Sequence, residues 1–199
     1  MNTSHTLVSA LAAAAFVLVA SAAAAADAEN GRKLAYSCMG CHGIENSKNA
    51  YPNYSVPKLG GQSATYIIAA LAEYDAGARW HPTMQGYAAT LSEQDRADIA
   101  AWFAAQSARK PGTKPVGQLP DAGAACTACH GNDGFGNVAG NPTLAGQHAD
   151  YLEQTLNDYR LGKRTNPIMG TFAKALTRDE IRALSRYYSQ QPGLTTPQL

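Results

Sequence analysis

Cys38-Met39-Gly40-Cys41-His42 and Cys126-Thr127-Ala128-Cys129-His130 each place two thiols three residues apart, with a histidine directly after the second. Residues three apart on a helical turn project to the same side. Two thiols so placed can add to the two vinyl groups along one edge of a porphyrin. The next residue, His42 or His130, is then carried under the ring plane to ligate iron. This is the spacing of c-type haem attachment. It predicts two covalently bound haem c groups, one through Cys38 and Cys41 and one through Cys126 and Cys129. Three other uses of the cysteines fit less well. Paired CxxC zinc ligands lie closer together than these, which have 84 residues between them. A redox CxxC belongs in an α/β context, and strand signals here are weak. Structural disulfides would have to compete for the same four cysteines, all of which lie inside the two motifs.

A haem iron has a second axial position, and its occupant decides much of the function. The chain has four methionines. Met1 is the initiator, and Met39 lies inside the first motif, too close to cross the ring. Met84 and Met169 remain, 42 and 39 residues after their histidines, each two residues after a proline, in "HPTM" and "NPIM". They are the expected sixth ligands. Proline fixes φ and stops a preceding helix, so a loop is expected to present each thioether. Methionine as core filler is the ordinary alternative, but both halves keep it at one aligned position. His81 and His148 do not recur, facing Asn166 and Ser63 in the alignment, and are read as surface or pocket-edge histidines. His81 lies three residues before Met84, which leaves it as a candidate to replace that ligand at alkaline pH. Arg79 and Arg164 do recur, five residues before each methionine. They are read either as partners of anionic haem propionates or as solvated helix-end cations.

The alignment behind these pairings is an internal duplication. Residues 57–106 lie over 142–191 without a gap, at an offset of 85, with 15 of 50 positions identical. The two motifs are 88 apart, so the first half holds three extra residues in "GIENSKNAYPNYSV". Between the halves, "ARKPGTKPVGQLPDAG" carries three prolines and reads as a stiffened linker. The expected domains are 27–108 and 121–199, joined by 109–120. About 80 residues make a marginal core, to which a covalent cofactor would add.

The elements that must position these residues read as helices. Ala28–Ser37 leads into the first motif. Ala64–Ala76 has helical spacing of Tyr66, Ile67, Leu71 and Tyr74, with Gly77 as a stop, like Gly162. Ser92–Asp95 and Thr177–Glu180 are capping-box signatures. They open helices whose buried faces are Ile99, Trp102, Phe103, Gln106 and Leu184, Tyr187, Tyr188, Gln191. The fold class is all-α.

Residues 1–26 read as a cleavable export signal: an apolar run Leu7–Ala20, then small residues ending at Ala26, although no Lys or Arg precedes the run. The run is shorter than a membrane span requires, and no later stretch is long and apolar enough. With 16 basic and 15 acidic residues, all after position 26, the charge balance excludes a nucleic-acid binder. It leaves electrostatic docking to proteins, and peripheral association with a membrane, open.

Two CxxCH motifs, each followed by P-x-L-x-G-Q, Y-x4-L-x2-Y-x2-G-x-R, Pro-x-Met and a capped C-terminal helix, resemble tandem class I cytochromes c, and within them the dihaem cytochrome c-four group. The resemblance covers nearly all of the chain after the signal. It implies Cys38, Cys41, His42 and Met84 around one haem, and Cys126, Cys129, His130 and Met169 around the other. It also implies a periplasmic electron carrier rather than an enzyme, with the two domains packed about a pseudo-twofold axis and the propionates facing at the interface. The implied partners are a quinol-oxidising complex and a terminal oxidase. Haem subunits of sulfide-oxidising flavocytochromes and alcohol dehydrogenases share the plan, so an electron-accepting subunit of a dehydrogenase is the alternative. The compact "GKRTNPIMG" departs from the longer methionine region of some members. A peroxidase or thiosulfate-oxidising dihaem enzyme would need a displaceable ligand, whereas both halves offer a methionine.

Overall fold

The computed structural model describes residues 25–106, 114–136 and 140–199. The signal reading for residues 1–24, and residues 109–113 of the inferred linker, lie outside the described residues. Among the described residues no helix is long and apolar enough to cross a membrane, and β pairing is confined to isolated antiparallel bridges.

The first half contains α1 (Ala28–Leu34), α2 (Met39–His42), α3 (Ala64–Asp75), α4 (Pro82–Ala88) and α5 (Glu93–Ala104). The Asp27 carboxylate caps α1 by accepting the Glu29 and Asn30 amides. A single 3₁₀ turn then delivers the chain into α2, which holds the first motif. Helix α1 lies directly on α5. Gly31 makes the approach possible, because a Cβ there would overlap the Asp98 carbonyl. Asp98, 2% exposed, ties the two together by accepting the Asp27 amide and the Asn30 and Gln94 side chains. Ile67, Leu71, Tyr74, Ile99, Trp102 and Phe103 form the core, and Cys38, Met39 and Met84 pack against it.

The second half repeats the plan with α6 (Thr127–His130), α7 (Ala149–Arg160), α8 (Pro167–Ala175) and α9 (Arg178–Gln190). A 3₁₀ segment, Asp121–Cys126, leads into the second motif where the last residues of α1 and the following turn lead into the first. The core is smaller, with Leu152, Tyr187 and Tyr188 packed against Leu119 and Leu144. The Tyr187 and Tyr188 hydroxyls donate to the carbonyls of Asn132 and Gly131, pinning the chain just beyond the second motif. Trp102 and Phe103, at the same positions of the first half, have no hydroxyl to do this.

Both capping boxes form as the sequence indicates, with Ser92–Asp95 opening α5 and Thr177–Glu180 opening α9. Gly77 and Gly162 both adopt φ +74° beyond α3 and α7, the left-handed turn that only glycine adopts without strain. One expectation is corrected. Met84 and Met169 are not on loops: Pro82 and Pro167 occupy the first turns of α4 and α8, and the methionines follow within the same turn. Proline is well suited to that position, where its missing N–H would have no partner and its φ is already helical.

The halves meet through loops, residue against aligned residue. Gln62 donates from Nε2 to the Thr143 carbonyl and accepts the Thr143 amide. Gln147, the aligned residue, makes the same two bonds with Lys58, which aligns with Thr143. Arg79 and its counterpart Arg164 form an antiparallel backbone bridge. Equivalent groups pairing with equivalent groups is the pattern of an isologous interface, here within one chain.

Candidate functional site

Each motif histidine is held at the end of a short helix and oriented from one side. His42 Nδ1–H donates to the Pro57 carbonyl at 2.8 Å, and His130 Nδ1–H donates to the Pro142 carbonyl at 3.3 Å. Pro57 and Pro142 are the first residues of the recurring P-x-L-x-G-Q segment. A bond at Nδ1 fixes the tautomer and leaves the Nε2 lone pair directed away from the backbone, the arrangement typical of a metal-ligating histidine. Burial pulls both imidazole pKa values below their usual range, so both rings are neutral and able to ligate. His42 nevertheless keeps a partly accessible edge, whereas His130 is buried.

The four cysteines are free thiols, none paired in a disulfide. Cys38, Cys126 and Cys129 are partly buried, and Cys41 is exposed. Burial raises the thiol pKa of Cys38 and Cys126, which keeps them protonated near neutrality. Met84 and Met169 are both partly buried, on α4 and α8. Those helices pack against α3 and α7. The structure thus sets all eight predicted residues at corresponding places in the two halves, with Cys38 and Met84 at the border of one hydrophobic core.

Arg79 and Arg164 are not solvated helix-end cations. They are 3% and 7% exposed, and they sit together at the domain interface. Each lies over two tyrosines of its own half, Arg79 over Tyr66 and Tyr74 and Arg164 over Tyr151 and Tyr159, at 5.1–5.8 Å from the ring centroids. Their charge balance differs. Arg79 forms an ion pair with Glu73 at 2.8 Å and also donates to the Tyr66 hydroxyl. Arg164 donates to the Tyr151 hydroxyl, while its Nη1 is buried without a hydrogen-bond partner. Asp158, aligned with Glu73, is one methylene shorter and is held by the Gln154 amide instead. Burial raises the Tyr159 phenol to about 12. The Tyr151 phenol, although burial works against it, is drawn below its usual value by Arg164 and Arg79.

These residues suit a covalently attached iron porphyrin on three counts. Two free thiols and a histidine with a free Nε2 form each motif. A thioether stands at the aligned place in each half. A buried guanidinium nitrogen lacks an acceptor, which costs roughly 1–3 kcal/mol or more for a charged group unless an anion such as a propionate is supplied. Sequence reasoning missed the role of P-x-L-x-G-Q. Its proline carbonyl holds the motif histidine, its second residue is clamped by the opposite domain, and its glutamine clamps in return. His81, read from the sequence as a surface or pocket-edge histidine, also caps α4. That ring accepts the Met84 amide at Nδ1 and meets the Asn49 amide oxygen at Nε2, so both nitrogens are engaged and His81 is not a free spare ligand. His148 precedes α7, with no side-chain cap bond.

Comparison with known proteins agrees with this plan. The family model described as cytochrome c matches residues 28–107 and again residues 121–191. Cytochrome c4 of Pseudomonas aeruginosa is 38% identical over 180 residues, covering 82% of this chain and 88% of the relative. A thiosulfate dehydrogenase electron acceptor of Stutzerimonas stutzeri is 35% identical over 202 residues, covering 90% and 93%. The crystal structure of reduced recombinant cytochrome c4 from Pseudomonas stutzeri superposes with a TM-score of 0.67 at 35% identity, covering 84% of this chain and all of that one.

Proposed function

The chain belongs to the cytochrome c family, as two tandem all-α domains with a covalent haem c motif in each, and from that premise we propose that it is an exported dihaem electron carrier. A haem iron supplies the one-electron couple. Cys38 and Cys41 fix the first haem, and Cys126 and Cys129 the second. His42 and Met84 would ligate the first iron, and His130 and Met169 the second. The observation that carries this reading is the histidine geometry: Nδ1–H is committed to a proline carbonyl in both halves, which aims Nε2 for ligation. Methionine ligation beside histidine would raise the reduction potential and leave no open position for substrate. What the chain contributes is rigidity. The proline carbonyls restrain rotation of both histidine rings, and Met84 and Met169 are carried on helices rather than on free loops.

Arg79 and Arg164 are assigned to the haem propionates across the interface, with Arg164 Nη1 the donor still lacking an acceptor. We keep the domain limits 27–108 and 121–199, with a linker at 109–120, a reading supported by family matches over residues 28–107 and 121–191. Export with cleavage near Ala26 would place the protein in the periplasm and retain Asp27, the cap of α1. A respiratory donor and acceptor, a quinol-oxidising complex and a terminal oxidase, are the assigned partners.

The test is expression in a host that attaches haem c, followed by an optical redox titration. Two haems per chain, both low-spin, with the methionine–iron charge-transfer band in the ferric state, are expected. A high-spin iron, or turnover of hydrogen peroxide, would reject the carrier reading in favour of an enzyme. A second reading, the electron-accepting partner of a dehydrogenase, is supported by the S. stutzeri relative that bears such a name. Stable co-elution with a dehydrogenase from the same organism would select it.

A further inference from the structure

The two methionine helices are capped by different residues at the same position. Asn166 Oδ1 accepts the Ile168 and Met169 amides at 3.1 and 3.0 Å. His81, aligned with Asn166, does the work with a ring: its Nδ1 accepts the Met84 amide at 3.3 Å. Asparagine is among the best N-caps, and histidine is an unusual choice. An imidazole can accept at Nδ1 only as the Nε2–H tautomer, and something beside Nε2 fixes both that form and the ring's orientation.

That something is Asn49. Its Oδ1 lies 3.0 Å from His81 Nε2. Its own orientation is fixed by the network, because its Nδ2 donates to the Tyr54 carbonyl at 3.3 Å and its backbone amide donates to the same carbonyl at 2.9 Å. The amide oxygen is therefore the atom facing the ring, and Nε2 must carry the proton it accepts. Tyr74 packs edge-on against the ring at 6.4 Å and restricts its rotation. Asn49 belongs to the loop between the first motif and Pro57, which is three residues longer than its counterpart. That loop is closed by the Lys48–Ser55 bridge and anchored on Asp150 of the second half through Lys48 Nζ, the Ser55 amide and the Ser55 hydroxyl.

We propose that His81 is a positioning residue for the Met84 thioether, with Asn49 on the longer loop holding its imidazole in the tautomer that caps α4. The inference rests on the reading of Met84 as an axial ligand. It gives the added loop residues a role: the first iron's methionine depends on a loop contact that the second iron's methionine does without. His81 touches the ligand's backbone and not the iron.

The test uses the holoprotein with both haems attached, and imidazole as the competing ligand for ferric iron. Methyl-labelled methionine signals report each iron separately, with Met84→Leu identifying the first. His81→Ala should raise imidazole affinity at the first iron about five- to tenfold, the size of a lost helix cap. His81→Asn, which copies the second half, should stay within about twofold of wild type. Asn49→Ala leaves the ring in place and frees its tautomer, and should give an increase between those of the two His81 variants. The second iron should not respond to any of them. Unchanged affinity in both His81→Ala and Asn49→Ala overturns the proposal. So does a His81→Asn protein that behaves like His81→Ala, since packing alone would then explain the effect. Asn49→Ala decides the matter if His81→Ala does not accumulate as holoprotein. If the wild-type first iron lacks a methionine signal, the ligand assignment fails instead, and the two failures are told apart before any variant is made.

Discussion

The side-chain amide of Gln62 grips the backbone of Thr143 at two points, Nε2 donating to the carbonyl at 3.0 Å and Oε1 accepting the amide at 2.8 Å. Both residues are buried, at 4% and 6% exposure. Gln147 grips Lys58 in the same manner. The interface is therefore built from side chains that satisfy the opposite domain's backbone, and its failure modes can be stated.

Gln62→Ala leaves the Thr143 amide and carbonyl buried without partners. The expected cost is about 2–6 kcal/mol, from roughly 1–3 kcal/mol for each of the two orphaned groups. At about 2–4 °C per kcal/mol for a chain of this size, calorimetry of the holoprotein should show a clear fall in Tm. Gln147→Ala should resemble it. The double variant should lose less than the sum, because the first loss already loosens the shared interface; full additivity would mean that the two clamps act on separate structures.

Arg164→Gln removes a buried positive charge whose Nη1 lacks an acceptor within the protein. Loss of a cation beside a haem edge favours the oxidised state. The second haem's potential should fall by something on the order of 59 mV, the equivalent of tenfold for one electron. Arg79→Gln should have a smaller effect, because Glu73 already balances that charge. Spectroelectrochemistry that finds equal shifts would contradict the assigned inequivalence.

Asp150 anchors the longer loop across the interface, and its carboxyl is held below the usual range. Burial opposes this, but Lys48 and Ser55 outweigh it. A depressed pKa contributes stability above the unfolded value near 3.9, and that stability is lost as the pH falls through the folded value. Asp150→Asn should therefore lower Tm at pH 7, and the difference from wild type should shrink steadily below about pH 4. The group is partly exposed, so the effect is expected to be modest and reduced by salt. A difference that persists at pH 2 would mean that the loss is one of packing.

Gly31→Ala drives a methyl into the Asp98 carbonyl at the crossing of α1 and α5. Overpacking of this kind costs about 1–3 kcal/mol. Among the described residues the second half has no helix matching α1, so denaturation followed at the first haem should shift to lower denaturant than denaturation followed at the second. A uniform shift would show that the halves unfold as one unit.

The repeat, the capped helices and the attachment motifs were legible in the sequence because they rest on local chemistry. The Ser92 and Thr177 capping boxes form within four residues, and a left-handed glycine ends a helix wherever it stands. Met84 and Met169 were found by alignment, but their setting was misread: Pro82 and Pro167 start helices here, and proline is as suited to beginning a helix as to ending one. Contacts that span the halves left no local trace. Nothing around Arg79 announces that its buried neighbour is Arg164, and a histidine that caps a helix through a tautomer set by Asn49, 32 residues away, has no sequence pattern.

The C-terminal segment crosses between the halves at their aligned residues. The Leu194 amide donates to Ala145, and the Thr195 amide and carbonyl pair with Gly60, the residue aligned with Ala145. Gln106 of the first half then accepts the Gln198 amide, while its counterpart Gln191 holds Val116 ahead of the second motif. Each half is thus finished by chain that does not follow it in order. A cut in the linker would separate two polypeptides without yielding two copies of an ancestral cytochrome. The hydrogen bonds that finish each unit are borrowed from chain outside it.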